Sequence, residues 1–123
     1  MQWETIRLDG QGPLRELVLN RPQVRNAVNT QVLVELNEAC TYLDTQRDVR
    51  VVILRGEGPT FCAGADLKES LTHGGPLHPA IHRARLGARA IDALGRLAPI
   101  TIAAMQGHAI GGGACLGAAC DFR

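Results

Sequence analysis

At 123 residues and 46% hydrophobic content, the chain carries enough apolar material for one ordinary core and too little for two domains. Thirteen Lys and Arg against twelve Asp and Glu leave a net charge of +1, with no basic block or acidic tail, and Trp3, Tyr42, Phe61 and Phe122 are its only aromatics; this argues against nucleic acid as a partner. No run reaches the roughly eighteen apolar residues of a membrane helix and the first residues hold no apolar leader, which reads as a cytoplasmic protein without a membrane partner.

Residues 3–8 and 14–19 read as two short strands joined by the turn Gly10-Gln11-Gly12-Pro13. Residues 20–26 form a loop, because Pro22 biases Arg21 toward extended backbone and the stretch has no period. From Thr30 to about Asp44, Val32, Leu36, Ala39, Cys40 and Leu43 recur at helical spacing, with Asn29 or Thr30 as the cap. Residues 49–54 are nearly all apolar, as in a strand covered on both faces. After Gly56-Glu57-Gly58-Pro59, Asp66 and Glu69 stand at N-cap and N3 of a short helix, in a capping-box arrangement.

Glycine and proline punctuate residues 73–79, which predicts a loop. A long helix is expected from about Pro79 to Leu97, with a stripe of Ile81, Ala84, Ala88, Ile91 and Leu94 facing inward and four arginines facing out. Pro99 stops it, and 99–105 read as another strand. The order ββ-α-β-α-α-β-α predicts an α/β architecture.

The last strand runs into Gly107-His108-Ala109-Ile110-Gly111-Gly112-Gly113-Ala114-Cys115-Leu116-Gly117. Glycines at a strand-to-helix turn leave peptide N–H groups open to a ligand, and a helix start carries unpaired donors and the positive end of the macrodipole. Such a turn suits an oxyanion. Gly113 and Gly117 are equally a small-xxx-small pair for close packing. Neither GxGxxG nor GxxxxGK[ST] is matched, so nucleotide binding is not indicated.

Three segments together resemble the crotonase superfamily, the enoyl-CoA hydratase/isomerase family: Leu19-Asn20-Arg21-Pro22 with Asn26-Ala27, then Phe61-Cys62-Ala63-Gly64-Ala65-Asp66-Leu67-Lys68, then Ala109-Ile110-Gly111-Gly112-Gly113 leading to Ala119-Cys120-Asp121. The resemblance implies a crotonase-like ββα spiral of which residues 1–123 are the N-terminal part of a single domain, the C-terminal part being absent. It implies an acyl-CoA thioester as substrate, no separate cofactor, and a homotrimer or dimer of trimers in the full-length protein. The backbone N–H groups of Ala65 and Gly112 would form the oxyanion hole for a thioester enolate. Gln23, Val24, Ala27, Ala63, Asp66, Leu67 and Lys68 would line the CoA and pantetheine path, with Lys68 or Arg25 meeting phosphate.

In the hydratases of this family a glutamate sits three residues after the oxyanion glycine, where this chain has Cys115. The expected reaction is hydration of a 2-enoyl-CoA. Double-bond isomerisation, which needs fewer carboxylates, and a non-catalytic acyl-CoA-binding subunit are the alternatives. Cys40, Cys62, Cys115 and Cys120 show no metal spacing and are expected as reduced, mostly buried thiols. His78 and His82 share no acidic or thiol partner, so no metal is expected; His108 is expected as a hydrogen-bonded structural residue, and Asp121 as a cap or brace for the next strand.

Overall fold

The computed structural model describes residues 2–72 and 77–123. β1 (Ile6–Asp9) and β2 (Leu14–Leu19) form an antiparallel hairpin; α1 (Thr30–Asp44), β3 (Val51–Gly56), α2 (Leu67–Thr72), α3 (Leu77–Gly95), β4 (Ile100–Ala104) and α4 (Gly112–Ala119) follow. The sheet order is β1-β2-β3-β4, with β3 parallel to both neighbours. This is the predicted succession, a mixed α/β fold of ββα type. The loop expected at 73–79 falls in part on 73–76, outside the described residues. α3 begins before Pro79, so His78 lies within the helix rather than ahead of it, as expected at a position where proline is tolerated in a first turn.

Register explains the core. Leu17 pairs with Leu54, and Leu54 with Ala103, so one face of the sheet presents an unbroken apolar row. Leu36, Ala39 and Leu43 of α1 and Ala90 and Leu94 of α3 close over it, all within one buried cluster. Each large aliphatic side chain removed from water here stabilises the fold by about 1.5–3 kcal/mol. The other face corrects the expectation that β3 is covered on both sides. Burial alternates along β3, and its Arg55 reaches Glu16 at 3.2 Å, Glu57 at 3.7 Å and Asp9 at 3.9 Å. That face is an ion-pair lattice, not a second core.

The α3 stripe is corrected in the same way: Ala90 and Leu94 are buried, whereas Ile81, Ala84 and Ala88 are exposed. Those at 84 and 88 wall a cavity. Asp121, expected to serve the strand after it, braces the one before it: its carboxylate accepts from the Thr101 N–H of β4 at 2.9 Å.

Glu35 ties the start of the hairpin to α1. Though only 2% exposed, its carboxylate accepts from the N–H groups of Glu4 and Thr5, the Thr5 hydroxyl and the Gln31 amide. Burial by itself would raise its pKa, but these donors together outweigh it and hold the carboxyl below its usual range. A depressed folded pKa means the stabilisation is complete above the ordinary glutamate pKa of about 4.3 and is lost as pH falls through the folded value. Glu35→Gln should therefore lower unfolding free energy by about 1–3 kcal/mol at neutral pH, because its NH2 meets donors. Urea titrations of the two proteins should converge as the medium is acidified.

Candidate active site

Strands β2, β3 and β4 are parallel, so the loops that follow them gather at one edge of the sheet, where open α/β sheets bind ligands. In the first, a 3-10 turn at Pro22–Val24 is followed by Arg25 and Asn26 with φ of 55° and 56°. Left-handed backbone is uncommon outside glycine, and asparagine accepts it more readily than most. Asn26 is held there by its side chain: Oδ1 accepts from the Arg21 N–H at 2.8 Å, and Nδ2 donates to the carbonyls of Glu57 at 3.0 Å and Thr60 at 2.8 Å. One buried amide thus joins the loop after β2 to the loop after β3.

Two further links set the second loop. The Val28 N–H donates to Gly64 O at 2.7 Å and the Asp66 N–H to Val28 O at 2.9 Å. Successive backbone amides alternate in direction, so Ala65, between these bonds, turns its own N–H to the opposite side. Arg21 donates to Ala27 O at 2.6 Å and to the Asp66 carboxylate at 3.0 Å. Asp66 also caps α2, accepting from the N–H groups of Lys68 and Glu69. Burial opposes its ionisation, but Arg21 and the two amides prevail and its pKa lies below the ordinary aspartate value.

The capping-box expectation for Glu69 is corrected. Its carboxylate does not turn back on Asp66, whose N–H is committed to Val28; it accepts from the Thr30 N–H at 2.9 Å and the Thr30 hydroxyl at 2.8 Å, capping α1 from outside. Asn29 supplies the local cap, accepting from the Val32 N–H at 2.9 Å.

The third loop pairs with the second through Cys62, which donates its N–H to His108 O and accepts from the Ile110 N–H, both at 3.1 Å. Gly111 (φ 54°) makes the turn into α4. The glycines then divide their work. A Cβ on Gly113 would lie 2.5 Å from Cys62 O, and one on Gly117 would run into the Met105 sulfur, so these two do serve packing. A Cβ on Gly112 would meet nothing within 4 Å. Gly64 brings the loops together, since a Cβ there would stand 2.6 Å from Ile110 O and 3.8 Å from the Gly112 nitrogen.

Ala65 and Gly112 border the same cavity of about 270 Å³, with Asn29, Glu69 and Arg83 at its polar side. Among the described residues, neither the Ala65 nor the Gly112 N–H has a hydrogen-bond acceptor. A second space of about 210 Å³ shares Val28, Leu33, Gly87 and Gly112 as walls and is closed by apolar Ile91 and Leu116. Cys115 also opens into it and is the exposed one of four mostly buried thiols: α4 turns this position toward the cavity rather than the core. Burial raises the other three, Cys40 to about 12.

Of the remaining predicted positions, Asp66 lies on the cavity wall. Gln23, Val24, Ala27 and Ala63 on the adjoining loops, and Leu67 and Lys68 at the start of α2, line neither space. His108 uses only its carbonyl; among the described residues its imidazole has no hydrogen-bond partner, contrary to expectation. Among the described residues no group of three His, Cys, Asp or Glu is placed to hold a metal ion. Val28, Leu33, Arg83 and Gly87 were missed by sequence reasoning. Leu33 falls off the main stripe of α1, and Arg83 reads as one more solvent-facing arginine; only the crossing of α1 and α3 turns them inward.

Residues 10–123 match the family model described as enoyl-CoA hydratase/isomerase, and the chain belongs to that family. It is 37% identical over 127 residues to the probable enoyl-CoA hydratase echA8 of Mycobacterium leprae, a match covering 99% of this chain and 46% of that protein. It is 41% identical over 111 residues to the human mitochondrial enoyl-CoA hydratase domain-containing protein 2, covering 89% of this chain and 37% of that protein. The crystal structure of enoyl-CoA hydratase from Bacillus anthracis superimposes with a TM-score of 0.91 at 35% identity, over 98% of this chain and 46% of that one.

The chain therefore spans about half the length of the curated relatives it matches. The expectation of a cytoplasmic location is overturned by the eukaryotic relatives, from mammals and Arabidopsis thaliana, which are named as mitochondrial. An apolar leader bears on secretion, whereas mitochondrial transit peptides are amphipathic and Arg-rich.

Replacing Asn26 with leucine, which is close in size, leaves the Arg21 N–H and two buried carbonyls unpaired and puts a branched chain at positive φ. Asn26→Leu should lower unfolding free energy by at least about 2 kcal/mol in urea titration.

Proposed function

We propose that the full-length protein acts on acyl-CoA thioesters, holding the thioester carbonyl oxygen between the N–H groups of Ala65 and Gly112 and stabilising the enolate that forms on it, with hydration of a 2-enoyl-CoA as the reaction. The observation that carries this is the pair of unpaired main-chain donors, from two different loops, on one partly apolar cavity. Negative charge grows on that oxygen as the enolate forms, so donors already aimed at it favour the transition state over the bound substrate. The low polarity of the adjoining walls strengthens both bonds. The Gly112 amide also opens α4, whose dipole adds to the field.

The CoA portion would lie along the neighbouring loops, over Gln23, Val24, Ala27, Ala63, Asp66, Leu67 and Lys68. Support for this comes from their position on the same sheet edge, and for a trimeric assembly from the family resemblance alone. Asp66 and Glu69, the carboxylates of the larger cavity, are already engaged by Arg21 and Thr30, so neither is assigned the proton transfer. Cys115 opens into the space beside Gly112, the position of the hydratase glutamate, and this favours isomerisation or binding without turnover as the second reading.

Gly112 allows a test of the donor itself. It is the first residue of α4, where proline is tolerated, and proline deletes the N–H. Gly112→Ala keeps the N–H and adds a methyl into space that is open in the ligand-free chain. With crotonyl-CoA and the protein from its complete reading frame, Gly112→Pro should reduce kcat by about 10²–10³, while Gly112→Ala retains the wild-type melting temperature and raises KM. Turnover undiminished in Gly112→Pro would overturn the assignment; tight thioester binding with no turnover in the wild type would favour the binding-subunit reading.

A further inference from the structure

Arg83 is a charged group of the cavity that the proposed chemistry leaves unused. It projects from α3 into the space shared with Ala65 and Gly112, and its NH1 atom is buried with no hydrogen-bond partner, the only buried side-chain nitrogen or oxygen so placed among the described residues. Glu69 faces it, but the closer approach is 3.9 Å, beyond hydrogen-bond reach. The reason is visible in the same carboxylate. Its Oε1 accepts two bonds and its Oε2 one, all from Thr30, and these hold it toward the start of α1.

The other carboxylate of the cavity, Asp66, is bonded to Arg21 at 3.0 Å. Both acids are therefore served by other donors, while the Arg83 guanidinium keeps a buried, unused N–H at NH1 on the wall of the same cavity. A buried cationic donor without an acceptor is among the least favourable arrangements a fold can hold, so an oxygen acceptor is expected to complete it.

We propose that Arg83 determines specificity in the acyl cavity by binding a carboxylate at the far end of the acyl group, so that the preferred substrates are short dicarboxylic acyl-CoA thioesters. This rests on the acyl-CoA reading above. Arg83 and Gly112 line one cavity of about 270 Å³, so the distal end of a short acyl chain held at Gly112 shares that space with the guanidinium. The planar fork of arginine suits a carboxylate, which it can bind through two parallel N–H bonds. The apolar space past Ile91 offers no such partner, so the two directions away from Gly112 differ in chemistry.

The test compares glutaconyl-CoA with 5-methylhex-2-enoyl-CoA, in which an isopropyl group replaces the distal carboxylate, using the protein from its complete reading frame. The wild type should favour glutaconyl-CoA in kcat/KM by at least about tenfold, the scale of one charge-assisted hydrogen bond. Arg83→Met should collapse that ratio, mainly through KM for glutaconyl-CoA, and Arg83→Lys should retain part of it. A wild type that prefers the neutral thioester, or a ratio that survives in Arg83→Met, would overturn the proposal and mean that Arg83 is satisfied from within the protein. Should Arg83→Met fail to fold, the wild-type ratio and Arg83→Lys decide. Absence of binding or turnover with either thioester would instead overturn the acyl-CoA reading, and this one with it.

Discussion

The buried amide of Asn26 is the constraint on which the site depends. Two of its three hydrogen bonds join loops whose anchoring residues are separated by more than thirty positions in the chain. They also hold Arg25 and Asn26 in a backbone conformation that neither would keep alone. Everything on the cavity wall follows from that junction. The carbonyl of Arg25 receives the Ala63 N–H, Val28 pairs on either side of Ala65, and Arg21 reaches Asp66. No catalytic group is involved in any of these contacts; their product is the direction in which one peptide N–H points.

A second dependence runs through the glycines of the third loop. Gly113 and Gly117 allow α4 to sit against Cys62 and Met105, and that close seating brings Gly112 beside the Ala65 loop. Packing and chemistry are here consecutive positions of one helix, not rival explanations of one motif. The same helix presents Cys115 to the cavity, while α3 offers Ala84 and Gly87 where larger side chains would fill it. Small residues on α3 and α4 thus keep open the space that the two donors serve.

What could be read in advance follows from the range of the interactions. The order of elements was legible because each has a local cause: Asn29 as cap, the apolar stripe from Val32 to Leu43, the stop at Pro99. The glycine turn and its partner loop at Ala63–Lys68 were legible as a pair through their resemblance to the crotonase motifs. Glu69 was misread because the capping box is a local pattern, whereas its true partner, Thr30, lies thirty-nine positions away. Arg83 was hidden for the same reason. Along the helix it belongs with the arginines of the outer face, and only the packing of α1 against α3 encloses it. The covering of β3 was overestimated because Val51 and Ile53 are apolar in a strand whose Arg55 already marked the open face.

The two donors at Ala65 and Gly112 are main-chain groups, and a peptide N–H does not titrate in the range where side chains do. On the proposed function, the capacity to hold an oxyanion is accordingly inherited as the shape of two turns and not as two particular letters of the sequence. Substitutions that preserve those turns can alter every surrounding side chain, and with them the choice of acyl group, while the hydrogen-bonding centre stays intact. A frame of this kind separates what a protein can stabilise from what it selects.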